Sequence, residues 1–342
     1  MWIDTCCIDK SSSREEQESI NAMFRWYCDA DMCVTYIHDI RKNDALKGEC
    51  TYFYNSQTQK RSEWFDRGWT LQELLAPKNM QIYDADWEMM GTKTELAGPL
   101  AEITSIKAEY LTGVEDFRRA CIAAKMSWMA GRHTTREEDM AYSMLGLFNV
   151  TMNLQYGEGN GAFLRLQELL IAKNDESLFV WKMPPEGPGD AFRVQSVCPF
   201  DLGPEEWGML APSAKCFAGR GKVNIDGKVV LRHRGGFTKT PQGISGPIHR
   251  KDHLMTSLFV NFTVVGAIPY HIWMFFRDRS TLKFSLNCWE PDEKGKMRAV
   301  QILLRPVQGD PRVWIRTFCS KYNLVRSVDS AGYSTIGTVW QP

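Results

Sequence analysis

The stretch Lys-Met-Pro-Pro-Glu-Gly-Pro-Gly-Asp-Ala-Phe, residues 182–192, divides the chain into two textures. Its prolines and glycines exclude both a continuous helix and a central strand. Before it, short strand-like runs alternate with apolar residues at helical spacing. After it, alternating runs recur at fairly regular intervals. At 342 residues the chain is also long for one hydrophobic core. Two domains are therefore expected, 1–181 and 193–342, joined by the linker 182–192.

In the first part, "WIDTCCI" reads as a short apolar strand. The segment "SSSREEQ" follows, where Ser12–Glu15 and Ser13–Glu16 both match a helix capping box. Ile20, Met23, Phe24 and Tyr27 then mark one face of an amphipathic helix. "MCVTYIHDI" (32–40) and "KNMQIYDADW" (78–87) are further strand-like runs, separated by a polar segment (41–62) and by "RGWTLQELLAP" (67–77). Strand–helix alternation over about residues 1–90 predicts an α/β core with a parallel sheet. Residues 91–181 turn helical. There Thr134–Glu137 and Thr135–Glu138 form a second double capping box, and Met140, Ala141, Met144, Leu145 and Phe148 make an apolar stripe.

Beyond the linker the pattern is β. "KVNIDGKVVLRHR" places Asp226-Gly227 between alternating runs, a hairpin signal. "SLFVNFTVV", "YHIWMFF", "LKFSLNCW", "AVQILLRPV" and "RVWIRT" follow, predicting an all-β domain of sandwich or barrel type. Residues 254–276 carry no Asp, Glu, Lys or Arg and are long enough to span a bilayer. Asn261, Thr263, Gly266, Pro269 and His271 interrupt them, so two adjacent buried strands are expected rather than a membrane span.

Lys plus Arg and Asp plus Glu number 41 each, so no global field draws the chain to nucleic acid or an anionic membrane. The acid at position 4 is incompatible with a secretory n-region, and ten cysteines are too few for a disulfide scaffold. A reduced, cytoplasmic protein is expected. Cys6–Cys7 and Cys28/Cys33 lack zinc-site spacing, and no metal is expected.

Several motifs have plain structural readings. "GEGNG" (157–161) lacks a full dinucleotide fingerprint and reads as a helix-initiating loop. His133 and Glu137 are spaced for a metal, but the capping boxes already account for the glutamates. His38-Asp39 reads as a surface turn. Cys6 and Cys7 as nucleophiles are disfavoured by burial in an apolar strand, which raises a thiol's pKa. Glu73 admits two readings. Thr70-Leu71-Gln72-Glu73 is itself a capping box. Alternatively, Trp69 and Glu73 share a helix face at i and i+4, an aromatic wall beside a carboxylate that suits a ribosyl substrate.

"WIDTCCIDKSSSREEQESINAMFRWYCDA", "FDRGWTLQELLAP", "SWMAGRHTTREEDMAYSMLGLFNV" and "LQYGEGNGAFLRLQE" resemble, in order, the blocks of the fungal heterokaryon-incompatibility (HET) domain. The likeness runs over roughly residues 2–181, and "GMLAPS" (208–213) extends it more weakly. It implies a role in non-self recognition leading to cell death. The implied partners are other incompatibility proteins, or further copies through the HET domain.

The HET domain is in turn remotely similar to TIR domains, which have a flavodoxin-like fold and in several branches cleave NAD. "RGWTLQEL" is similar to their W-C-x-x-E-L helix. The resemblance implies Glu73 as the catalytic glutamate, with Trp69, Arg67 and Asp4 binding substrate, NAD as substrate and no cofactor. Asp4 and Cys7 match the family's W-I-D-x-x-C-I block. Family members carry an earlier strand with a Ser-His-x-Trp-Gly-like block, central in a 2-1-3-4-5 order. The expectation is therefore an N-terminally truncated TIR-like sheet. A non-catalytic signalling module, or an inactive truncated copy, is the alternative.

Overall fold

A computed structural model describes residues 1–41, 52–55, 57–187, 202–203, 205–225, 236–241, 243–247, 281–307, 310–325 and 336–339. The Asp226-Gly227 hairpin and the uncharged run 254–276 lie outside the described residues. The chain divides into two compact units, residues 1–166 with 217–221, and residues 167–216 with 222–342.

The first unit departs at once from the sequence reading. "WIDTCCI" is not a strand: Asp4–Cys7 form a single helical turn, α1. The carbonyl of Ile3 accepts from the N–H groups of Cys6 (3.3 Å) and Cys7 (2.9 Å). Trp2 packs edge-on against Trp26 and Tyr27. Local hydrogen bonds and this aromatic anchor satisfy the segment without a ladder, leaving Cys6 and Cys7 exposed rather than buried.

Helix α2 (Ser13–Asp29) starts where expected, with Ser12 accepting from the Glu15 N–H. Only half the capping box forms, because the Glu15 carboxylate reaches back to the Asp9 N–H instead (3.0 Å). Ile20, Met23 and Phe24 are buried on the predicted face. Adjoining this face, Gln17 and Asn21 bond the backbone at Met152 and Leu154, tying the helix to a segment more than a hundred residues away.

Strand β1 (Cys33–Tyr36) pairs in parallel with β2 (Met80–Tyr83), Cys33 opposite Met80. Between them in sequence lies α3 (Thr70–Leu75). Strand β3 (Met89–Thr92) adds antiparallel to β2 with a bulge between Ile82 and Tyr83. The sheet is thus mixed and three-stranded, in the order β1-β2-β3. Its parallel element is a single strand pair, not a full parallel sheet.

Short helices follow: α4 (Ala97–Thr104), α5 (Ala108–Thr112), α6 (Ile122–Met129), α7 (Asp139–Tyr142), α8 (Leu145–Phe148) and α9 (Gly161–Ile171). The predicted stripe over 140–148 is buried almost throughout, but the helix breaks between α7 and α8. Gly146 in α8 lies against Phe24 of α2, and a Cβ on it would fall 2.0 Å from the Phe24 Cβ. No other residue permits so close an approach of the two helices.

The second unit contains a seven-stranded sheet. Its path is β4 (Thr238–Thr240), β5 (Gly243–Pro247), β10 (Ile336–Val339), β8 (Asp310–Thr317), β7 (Met297–Val307) and β6 (Leu282–Pro291), with β9 (Asn323–Val325) also on β7. The β8–β10 pair is parallel and the rest antiparallel. Three predicted strands, "LKFSLNCW", "AVQILLRPV" and "RVWIRT", fall on β6, β7 and β8. Arg316 on β8 is 1% exposed, its guanidinium 3.8 Å from the centre of the Trp181 ring. It donates to the carbonyls of Phe179 (2.9 Å) and Trp181 (2.6 Å), so the buried charge is hydrogen-bonded on both arms.

Candidate functional site

Glu73 lies on α3, and the helix is held at both ends by buried cations. At its entry the Gly68 N–H donates to the His133 carbonyl (2.8 Å), and the His133 N–H donates to that of Asp66 (2.7 Å). This close bridge needs a glycine, since a Cβ on Gly68 would lie 2.5 Å from Thr134 Cγ2. It also carries Arg132, 4% exposed, beneath the helix start. The Arg132 guanidinium donates to the Arg67 carbonyl and the Thr70 hydroxyl, each at 2.8 Å. Burial, then Arg61, pushes its pKa down to about 9, against the opposing pull of Glu73 and Asp66, so it stays cationic at neutral pH.

At the other end the buried Lys93 ammonium donates to the carbonyls of Leu74 (3.2 Å) and Pro77. A cation among the last carbonyls of a helix meets the negative end of its dipole. Burial nonetheless lowers the Lys93 pKa to about 8, with Cys33 and Cys28 opposing.

The Thr70–Glu73 capping box does not form. The N-cap position is Trp69, without a side-chain cap. The Thr70 hydroxyl instead donates to the carbonyls of Trp64 and Arg67. Glu73 is densely enclosed by protein, yet the residue keeps part of its surface open to solvent. The Trp64 indole and the Tyr27 hydroxyl both hydrogen-bond its carboxyl group. Its pKa is pushed up to about 7, first by desolvation and then by Asp4 of α1; Arg67, Trp64 and Arg132 pull the other way. Tyr27 and Cys33 are both pushed up, by burial first and then by the Glu73 charge, the thiol to about 11. Both stay protonated, which leaves Glu73 as the group of this cluster that titrates near neutrality. Such a carboxyl can stabilise a developing cation and exchange a proton with water.

Of the residues the sequence pointed to, Asp4 and Arg67 converge electrostatically on Glu73. Trp69 belongs to a neighbouring cluster, its indole bonded to Asp139. Asp139 also accepts from the Tyr156 hydroxyl (2.9 Å), and Arg136 covers the Tyr156 ring at 4.1 Å. The sequence does not place Tyr27, Trp64, Cys33 or Arg132 at this site: Tyr27 reads as part of the apolar stripe of α2, Cys33 as a cysteine without zinc-site spacing, and in "GRHTTREED" the neighbouring His133 draws the metal reading.

The remaining motifs are structural. Glu138 accepts from the N–H groups of Gly157 (2.7 Å) and Gly159 (2.9 Å), so the "GEGNG" loop already holds a carboxylate. Desolvation opposes ionisation of Glu138, and the backbone donors outweigh it, keeping its pKa low. The capping boxes at Thr134 and Thr135 therefore do not form; Thr134 donates to the Arg136 carbonyl. Asp39 accepts from the Ser62 hydroxyl (2.6 Å) and the Glu63 N–H (2.8 Å), pinning the turn that leads into Trp64. Local desolvation, then the Cys7 thiol, pushes the pKa of Cys6 up. Among the described residues no group of three or more His, Cys, Asp or Glu is placed to hold a metal ion, and no helix is long and apolar enough to cross a membrane.

The chain is similar to the vegetative incompatibility protein HET-E-1 of Podospora anserina, with 43% identity over 181 residues. The match covers 52% of this chain and 13% of that protein, so the chain corresponds to a small part of its relative. No family model and no solved structure matches the chain.

Proposed function

We propose that this chain acts in fungal vegetative incompatibility, and that its first unit is a TIR-like site that hydrolyses NAD at the nicotinamide–ribose bond. The role in incompatibility is supported by the similarity to HET-E-1. The single observation that carries the chemistry is Glu73, a carboxyl on a half-buried residue whose pKa of about 7 is set by burial and Asp4 against Arg67, Trp64 and Arg132. The parallel β1–β2 pair joined through α3 is the part of the fold that fits a TIR-like sheet.

In this reading the bond from ribose C1′ to the pyridinium nitrogen breaks, and its electron pair leaves with neutral nicotinamide. The ionised Glu73 stabilises the positive charge left on the ribosyl ring. Water then adds at C1′ and releases a proton, giving ADP-ribose. The exposed Arg67 suits the pyrophosphate as a cationic contact, while Trp69 is engaged with Asp139 in the neighbouring cluster. A role for Glu73 as a simple cap loses its basis, because Thr70 does not cap the helix. The competing reading is a non-catalytic module acting by self-association.

The test is Glu73→Gln, which keeps the size of the side chain and an acceptor for Trp64 and Tyr27. Purified protein is incubated with NAD, and nicotinamide and ADP-ribose are quantified. Killing is scored in cells that overexpress each form. Loss of turnover and of killing in a folded variant is expected. Turnover equal to that of the parent would overturn the enzymatic reading.

A further inference from the structure

We propose that Arg67 and His133 together clamp a diphosphate group, so that the first unit selects nucleoside diphosphates and their esters over nucleosides that lack phosphate. For the reacting end of the ligand this rests on the reading of Glu73; the anion site itself is built from other residues. Arg67 and His133 are partners in an isolated parallel bridge. The His133 N–H donates to the Asp66 carbonyl (2.7 Å) and the Gly68 N–H to the His133 carbonyl (2.8 Å), one bond on either side of Arg67. Residues aligned in this way send their side chains to the same side of the pair. The guanidinium and the imidazole therefore leave the backbone as neighbours, although their segments lie far apart in sequence. Both residues are exposed.

The pair is also free to bind. Among the described residues neither side chain makes a hydrogen bond or an ion pair. The other cations of this region are engaged. Arg61 pairs with Asp66, Arg132 donates to the Arg67 carbonyl and the Thr70 hydroxyl, and Arg136 covers the Tyr156 ring. The nearest carboxyl groups are held as well, Asp66 by Arg61 and Glu73 by Trp64 and Tyr27. An anion can thus take Arg67 and His133 without breaking a contact already made. The backbone beneath them is fixed by the two bridge bonds, by the Arg132 guanidinium on the carbonyl of Arg67 itself (2.8 Å), and by the close approach of Gly68 to Thr134. A preorganised frame of this kind gives up little freedom on binding.

The donor set suits adjacent phosphates. A guanidinium gives two parallel N–H bonds to phosphate oxygens, and an imidazole beside it adds an N–H of its own. A diphosphate offers oxygens to both at once, whereas a single carboxylate is satisfied by the arginine alone. The spacing of His133 and Glu137 suggests a metal ligand instead, yet among the described residues no group of three or more His, Cys, Asp or Glu is placed to hold a metal ion. Of the charges that favour ionised Glu73, Arg67 acts most strongly. In a pyridine dinucleotide one ribose separates the diphosphate from the reacting C1′. An anion held at Arg67 therefore leaves that ribose on the side of Glu73.

Isothermal titration of the full chain with ADP, inorganic pyrophosphate and adenosine tests the proposal. ADP and pyrophosphate should bind, with adenosine weaker by roughly tenfold or more. Arg67→Ala and His133→Ala should each raise the dissociation constant for ADP by about tenfold, with an unchanged circular dichroism spectrum. The imidazole NMR signals of His133, assigned by their loss in His133→Ala, should shift when pyrophosphate is added. Equal affinity for ADP and adenosine, a His133 ring that does not respond, or ADP binding undiminished in both alanine variants would each overturn it. Binding of ADP to the pair without release of nicotinamide from NAD would uphold the diphosphate site and sink the reading of Glu73. Release of nicotinamide at equal kcat/KM from NAD and from nicotinamide riboside would do the reverse.

Discussion

Gly68 stands so close to Thr134 that a Cβ on it would lie 2.5 Å from the threonine Cγ2. The contact closes the bridge between Arg67 and His133 and so sets Arg132 beneath α3. Gly68→Ala should destabilise the first unit by about 1–3 kcal/mol, the usual cost of forcing a methyl group into a packed site. Thr134→Ser removes the opposing methyl group, and the double variant should recover most of the loss. Denaturant unfolding of the four forms of this cycle measures the coupling.

Glu73 has a second consequence, for stability. Its folded pKa, about 7, lies above its ordinary value of 4.5, so the folded state holds the proton more tightly. The associated stability is complete below about pH 4.5 and is lost as the pH rises through 7. After allowance for solvent contact the change is about 2 kcal/mol. The parent minus Glu73→Gln difference in unfolding free energy should show this slope, and a flat difference from pH 4 to 8 would contradict it.

Asp4 is the charge that raises the Glu73 pKa after desolvation. Asp4→Asn should lower that pKa by roughly half a unit to one unit. Carbon-detected NMR titration of the Glu73 carboxyl group reads the shift directly. In the proposed reaction the acid limb of the pH–rate profile should move down with it.

Gly146 and Phe24 give a harsher case than Gly68. A Cβ at position 146 meets the base of the phenylalanine rather than a free end. Gly146→Ala should cost more than about 3 kcal/mol, because α2 and α8 must separate. Thermal unfolding and the near-ultraviolet spectrum of the aromatic core report the effect.

In the second unit, Arg316→Lys keeps the charge but cannot reach two carbonyls while lying flat on Trp181. A loss of about 2–4 kcal/mol is expected from the unmet carbonyls and the poorly solvated ammonium. Urea unfolding followed by tryptophan fluorescence provides the measurement.

Periodicity revealed what depends on periodicity. The stripe Ile20, Met23, Phe24 of α2 and the strands β1, β2, β6 and β7 were legible because one face of each is buried, and β8, buried on both faces over residues 314–317, was legible from its Val, Trp and Ile content. "WIDTCCI" misled because a short apolar run satisfies a strand and a helical turn equally well, and Trp2 finds its partners on α2. Capping boxes misled for a related reason. Glu138 and Thr70 carry the right residues at the right spacing, but the Gly157–Gly159 loop and Arg132 compete for them from far along the chain. The sequence left Glu73 open between a helix cap and a catalytic carboxylate. The groups that tune it, Tyr27, Trp64 and Arg132, come from three separate segments that no local pattern connects.

Residues 217–221 belong to the first unit, although residues 167–216 of the second precede them in the chain. Translation therefore releases the first unit without its last piece and supplies that piece only after part of the second has been made. The first unit completes late, by recruiting a segment from beyond its apparent end. A stop codon or protease cut in the proline–glycine stretch 182–192 would leave it short of a strip of its own surface.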